Sequence, residues 1–184
     1  MFENFQRWVA LRKLEQQSRK NDDGTISFSN AVSRISEILM CLPWDYREFR
    51  VARYVLKSLD QEDVDHRITF VAPEEYRNLI PRRKHDRILT INGTGRDHLG
   101  RFTSDFVERV LDHEYQAAAD FNTEFDFGTS LLCRRSDAPI RIGFAFEYAR
   151  VFYNIEIRKP EDKFLLEGAY RSVQRMLAIE SVKD

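Results

Sequence analysis

The sequence predicts one α/β domain with a doubly wound parallel sheet and an N-terminal helical arm. Three observations support this prediction. The chain has 184 residues, a length typical of one domain, which buries about 70% of the surface that its unfolded form exposes. From residue 26 onward, short apolar runs alternate with longer amphipathic stretches, a pattern typical of parallel sheets covered on both faces. Before that point, apolar residues follow a helical spacing that ends at a cluster of turn-forming residues.

Five apolar runs predict strands, and three amphipathic stretches predict helices. The runs are short and rich in apolar residues, whereas the amphipathic stretches place apolar side chains three or four residues apart on one face. The predicted strands are 38–42, 68–72, 87–91, 117–121 and 141–144, and the predicted helices are 47–59, 102–111 and 164–177.

Ligands of doubly wound sheets bind at the carboxyl ends of the strands, where the strand order reverses. This rule points to four loops, at 43–47, 72–75, 92–97 and 122–126. The first loop is bulky where a phosphate-binding loop has glycine. It contains Trp44, Tyr46 and Arg47, which we expect to fill the space that a substrate would occupy. Because Trp, Tyr and Arg are the residue types most enriched at hot spots of protein interfaces, we predict that these three residues contact another protein.

Residues 1–24 are predicted to form an amphipathic helix and a hinge, and residues 25–184 to form the domain. Phe2, Phe5 and Trp8 lie on one face of the predicted helix, and Arg12 is among the cations beside that face. The segment Asn-Asp-Asp-Gly at 21–24 ends the helical pattern. We predict that the aromatic face and Arg12 contact a partner protein. The alternative is that this helix lies on a membrane surface.

Charge and hydropathy exclude several classes of protein. Lys and Arg number 29 and Asp and Glu number 30, with a formal net charge of −1, so the molecule as a whole has no field that attracts nucleic acid. No stretch approaches the ~20 apolar residues of a transmembrane helix, and the first residues do not form an export signal. We therefore predict a cytoplasmic protein, in which Cys41 and Cys133 are buried, reduced thiols.

The sequence predicts no cofactor and no metal site. The four histidines are far apart, and neither cysteine has a partner at zinc-ligand spacing. The motifs of P-loops and esterases are absent. Asp120, Asn122, Glu124 and Asp126 alternate like calcium ligands, but Phe125 stands where a calcium loop requires glycine. A strand end followed by a helix N-terminus, with its cap near Asp126, explains these residues better.

The order of several segments resembles the lipopolysaccharide heptosyltransferases, a family of glycosyltransferases. These segments are residues 38–58, Ala-Asp-Phe-Asn at 119–122, Ser-Leu-Leu at 130–132 and Arg-Ile-Gly-Phe at 141–144. The resemblance implies the GT-B architecture, in which one Rossmann-like half binds the acceptor and a second half binds the nucleotide-sugar donor. It implies that residues 25–184 form the acceptor-side half.

The same resemblance places Arg47 where the family has glycine, and Glu48 where it has the aspartate proposed as catalytic base. Displacing a catalytic group by about 1 Å lowers the rate of its reaction about 10²-fold, and glutamate displaces the carboxylate by about that distance. The donor half is not among these residues. Without it the reaction lacks its main electrostatic stabilisation, that of the departing nucleotide. We therefore expect Glu48 to be a vestigial base and the protein not to be an enzyme.

The expected function is that of a non-catalytic assembly subunit. The sequence as a whole is also similar to small peripheral subunits of the photosynthetic reaction centre of green sulfur bacteria. That similarity implies reaction-centre proteins and the bacteriochlorophyll antenna protein as partners. It also implies a place on the cytoplasmic side of the inner membrane, without transmembrane insertion. The alternative is the acceptor-binding half of a split glycosyltransferase.

Overall fold

Six parallel strands form one continuous sheet at the centre of the molecule. The computed structural model describes residues 11–13, 35–57, 66–81, 83–160, 162 and 165–177. The strands are β1 (Glu37–Cys41), β2 (Arg67–Pro73), β3 (Arg87–Ile91), β4 (Ala117–Asp120), β5 (Ile140–Phe144) and β6 (Ile155–Ile157). Their order is β3-β2-β1-β4-β5-β6, and every neighbouring pair is parallel. The predicted doubly wound α/β fold is confirmed.

Helices of the described residues cover both faces of this sheet. They are α1 (Tyr46–Leu56), α2 (Ser104–Val110), α3 (Phe127–Arg135) and α4 (Leu166–Met176). Apolar residues of α1 and α4 pack on one face, and those of α2 and α3 pack on the other. Successive residues of a strand point to opposite faces, so β1 contributes Met40 to the first core and Leu39 to the second. Burial on both faces explains why β1 is a continuous apolar run.

Two elements differ from the sequence prediction. The sequence does not predict β6, because this strand has only three residues at the edge of the sheet and none of them is fully buried. It predicts α3 only as a helix N-terminus. The small polar residues Thr129 and Ser130 lie inside this helix and are buried, which hides the apolar stripe of an ordinary surface helix.

Only three residues of the predicted N-terminal helix, 11–13, are described, and they are helical. Leu11 is buried in the core on the α2 and α3 side of the sheet, whereas Arg12 is exposed. Leu11 therefore packs on the domain itself. Phe2, Phe5, Trp8 and the predicted hinge lie outside the described residues. None of the described helices is both long and apolar enough to cross a bilayer.

Candidate functional site

The strand order reverses between β1 and β4, and this is where a doubly wound sheet forms its ligand crevice. From β1 the chain passes outward to β2 and β3, and from β4 it passes outward in the opposite direction to β5 and β6. The loop after β1 leads into α1, and the loop after β4 leads into α3. Two loops and two helix N-termini therefore meet at one end of the sheet.

Asp45 begins α1 and fixes the position of its first turn. The Asp45 carboxylate accepts hydrogen bonds from the backbone N–H groups of Arg47, at 2.9 Å, and Glu48, at 3.0 Å. This is an N-cap, which satisfies donors that a helix leaves unpaired. It presents Glu48 on the first turn of α1, where the helix dipole favours negative charge.

The Glu48 side chain crosses from α1 to the loop after β4. Its carboxylate accepts the backbone N–H of Thr123 at 3.3 Å and also accepts the Thr123 hydroxyl. An ionised carboxylate has about four acceptor positions, so these two bonds leave acceptor capacity for a ligand. Glu48 is thereby held in one orientation at the junction of the two loops.

Glu48 lines a cleft of about 300 Å³ between the start of α1 and the start of α4. Arg47 and Lys159 supply hydrogen-bond donors, Glu48 and Glu124 supply acceptors, and Leu166 is among the apolar residues. Lys159 pairs with Glu124. The cleft therefore offers hydrogen-bond donors, acceptors and apolar side chains to a ligand. The full lining is Asp45, Arg47, Glu48, Val51, Thr123, Glu124, Lys159, Pro160 and Leu166.

A buried polar network behind the cleft holds the loop after β4. Asp120 ends β4 and accepts three hydrogen bonds: from the backbone N–H of Asn122 at 3.0 Å, from its side-chain amide at 2.7 Å, and from the Tyr153 hydroxyl at 2.8 Å. The Tyr153 and Ser130 hydroxyls are 2.8 Å apart. Burial raises the pKa of Asp120 to about 6, because a low dielectric disfavours its charged form.

Asn122 connects this network to the loop after β1. Its side-chain oxygen accepts the backbone N–H of Trp44 at 2.9 Å, while its amide group donates to Asp120. These hydrogen bonds join the two loops, and Thr123 follows Asn122 directly, so they place Thr123 beside Glu48. The sequence singles out Asp120 and Asn122 as part of a rejected calcium pattern and of a segment that resembles the heptosyltransferases, and neither observation predicts this network. Tyr153 carries no sequence signal for this role, because it follows 33 residues after Asp120.

Trp44 lies on the other side of the sheet from the cleft, with the residues of the second core. The guanidinium carbon of Arg96 is 3.7 Å from the centre of the Trp44 ring, and Arg96 also pairs with Asp126 at 2.6 Å. This stack is a cation–π contact that holds the indole away from Glu48. Asp126 caps α3 by accepting the Thr129 N–H at 2.9 Å, as the sequence predicts.

Of the three bulky loop residues, only Arg47 lines the cleft. Tyr46 is 52% exposed, with its ring centre 5.7 Å from that of Tyr76. The sequence expectation that all three fill the ligand space therefore differs from the structure. For Trp44 the cause is tertiary: its backbone is bonded to Asn122 and its ring is bound by Arg96, both distant in sequence.

Cys41 and Cys133 are buried, free thiols whose sulfur atoms are 4.0 Å apart. The pKa of Cys41 lies well above its usual value, first because its thiol is hydrogen-bonded to Cys133 and then because it is buried. Within the described ranges, no group of three or more His, Cys, Asp or Glu side chains is placed to hold a metal ion.

No protein-family model matches this sequence, and no curated protein is similar to it in sequence. Solved structures do resemble its fold. A family 9 glycosyltransferase from Veillonella parvula DSM 2008 superposes with a TM-score of 0.60 at 17% identity, over 81% of this chain and 43% of that chain. The E. coli heptosyltransferase WaaC with ADP gives a TM-score of 0.58 at 13% identity, over 80% of this chain and 49% of that chain. The structure of WaaC with ADP-2-deoxy-2-fluoro heptose gives the same TM-score at 14% identity, over 80% and 50%.

These likenesses show the fold of a glycosyltransferase half-domain. The chain spans half or less of the length of these three solved structures. None of these structures is a photosynthetic protein, so they give no support to the expected reaction-centre and antenna partners.

Proposed function

We propose that this chain is the acceptor-binding half of a two-lobed glycosyltransferase, and that its cleft binds a sugar hydroxyl at Glu48. One observation carries the proposal: a carboxylate at the switch point is held by Thr123 and faces a cleft that mixes charged and apolar side chains. The fold shared with family 9 glycosyltransferases supports the same assignment.

The chemistry assigns one step to Glu48. An acceptor hydroxyl donates its hydrogen bond to the free acceptor position of the carboxylate and passes its proton to it. The hydroxyl oxygen then forms a bond to the anomeric carbon of the donor sugar, and the bond to the nucleotide diphosphate breaks with its electron pair on the diphosphate. The donor belongs to a second lobe, which these residues do not include.

Sugar binding by the chain tests this assignment. We expect at least one member of a panel of free pentoses, hexoses and heptoses to bind in isothermal titration calorimetry. Glu48→Gln should weaken that binding about 10- to 100-fold, the range for a hydrogen bond to a charged group. Glu114→Gln is the matched control, since Glu114 is exposed and is not part of the cleft lining. Equal binding by Glu48→Gln and the unsubstituted protein would contradict the assignment.

Transfer is tested separately, by nucleotide release from nucleotide sugars. We expect release only when a donor-binding lobe is supplied, and we expect Glu48→Gln to abolish it. Release that persists in Glu48→Gln would remove Glu48 from the reaction without affecting the binding result.

A non-catalytic assembly role is the second candidate, favoured by the exposed Tyr46 and its exposed neighbour Arg47. It predicts that the tagged chain retains a specific partner protein and that Tyr46→Ala and Arg47→Ala lose it. Absence of sugar binding together with such a partner would favour this role over the glycosyltransferase half.

A further inference from the structure

The outward face of α1 carries cations and tyrosines and no acidic residue. On a helix with about 100° between successive residues, six residues fall within an arc of about 120°. We call this set the α1 stripe; it comprises Tyr46, Arg47, Arg50, Arg53, Tyr54 and Lys57, the last of which caps the helix. The opposite arc carries the buried residues Phe49, Ala52, Val55 and Leu56.

Both acidic residues at the start of α1 are directed away from the α1 stripe. Asp45 binds backbone N–H groups of the first turn, and Glu48 binds Thr123 in the cleft. Within the described part of the chain, none of the four cations of the stripe forms an ion pair. Charges of alternating sign along a helix face are typical of a solvated helix held by salt bridges, and the α1 stripe lacks that alternation.

The two tyrosines lie on the same arc as these cations. Tyr46 is 52% exposed and Tyr54 is 59% exposed, and they are the exposed aromatic side chains among the large apolar residues described. A tyrosine ring beside cations matches the headgroup region of a bilayer, where the ring meets apolar chains and the hydroxyl meets polar headgroups. Lys and Arg stems extend in the same way to place their charges at phosphates.

We propose that the α1 stripe docks on an anionic lipid surface. Four or more cations on an amphipathic helix are typical of such binding. The α1 stripe extends about 16 Å along the helix axis, from Tyr46 to Lys57. All six of its side chains can therefore contact one flat surface.

The charge of the rest of the molecule favours a lipid surface over nucleic acid. The whole chain has a formal net charge of −1, so the part outside the four cations is net acidic. A long polyanion that extends beyond α1 would meet that acidic remainder and be repelled. A surface that touches the protein only along α1 meets the cations alone.

Vesicle flotation of the full chain tests the proposal. We expect the protein to float with vesicles that contain about one phosphatidylglycerol in three lipids and not with pure phosphatidylcholine, and to be released as salt is raised. Arg50→Gln and Lys57→Gln should each lower the partition coefficient about fivefold, and about 25-fold together. Neither residue lines the cleft.

Arg135→Gln is the matched control, because Arg135 is exposed on α3 and its substitution removes the same charge from another surface. Tyr54→Ser should weaken vesicle binding, and lowering the salt concentration should not restore the lost binding. Far-ultraviolet circular dichroism checks that each variant is folded.

Three results would overturn the proposal: no flotation with anionic vesicles at low salt, equal flotation by the Arg50→Gln/Lys57→Gln double variant, or an equal loss in Arg135→Gln. Loss of oligonucleotide or acidic-protein binding in the double variant, with vesicle binding unchanged, would also overturn it. The proposal does not rest on sugar binding, so its failure and that of the proposed function are distinguishable.

Discussion

Replacing Asp120 with asparagine measures what the buried carboxyl at the end of β4 costs the fold at neutral pH. Burial raises the pKa of Asp120 from 3.8 to about 6, although hydrogen bonds from Asn122 oppose that rise. The folded protein therefore holds this proton more tightly than the unfolded chain does. The resulting stabilisation is complete below the unfolded pKa and is lost as pH rises through about 6.

The size of this effect follows from the two pKa values. Each pKa unit corresponds to 1.36 kcal/mol, so the full change is about 3 kcal/mol. An asparagine at position 120 is neutral at every pH and lacks this dependence. The variant has a constant offset from altered hydrogen bonds, but its stability relative to the unsubstituted protein should rise by about 2 kcal/mol of this total between about pH 4 and about pH 7.

Urea unfolding at a series of pH values measures this difference directly, since ΔG falls linearly with denaturant. Asp137→Asn is the control: Asp137 is exposed and has a φ of 51°, a conformation that asparagine also adopts. Its difference curve should be flat. A flat curve for Asp120→Asn, or one that falls with pH, would refute the argument.

Three further substitutions test the packing around the site. A Cβ at Gly143 would lie 2.3 Å from the Tyr153 ring, so Gly143→Ala should lower the free energy of unfolding in urea by about 1–3 kcal/mol. An unchanged unfolding midpoint would show that the ring moves freely. Tyr153→Phe removes the hydroxyl that donates to Asp120 and should lower the free energy of unfolding by about 1–3 kcal/mol. A smaller loss would mean that a water molecule replaces the hydroxyl. Thr123→Val removes the hydroxyl that donates to Glu48 and keeps the backbone N–H that also donates to it. It should weaken sugar binding about fivefold in calorimetry with the fold retained, whereas unaltered affinity would show that the hydroxyl is not needed to hold Glu48.

The sequence by itself determined the class of fold and the loops that form its ligand crevice. Buried strands produce continuous apolar runs, and packed helices repeat apolar residues at helical spacing, so both signals are local. The position of Asp126 as a helix cap was likewise readable, because capping depends on the residues that follow it directly. The resemblance to heptosyltransferases also pointed to Glu48, directly after the first crevice loop.

Tertiary structure alone decided how the site is built. Glu48 is bound by Thr123, and Cys41 lies beside Cys133, although 75 and 92 residues separate these pairs. Such contacts depend on the order in which strands pair, and no local pattern encodes that order. The side to which Trp44 turns was decided in the same way, by the distant Arg96. A side chain's type is fixed by the sequence, but its direction at a crossing of two loops is set by whichever partner the fold brings near.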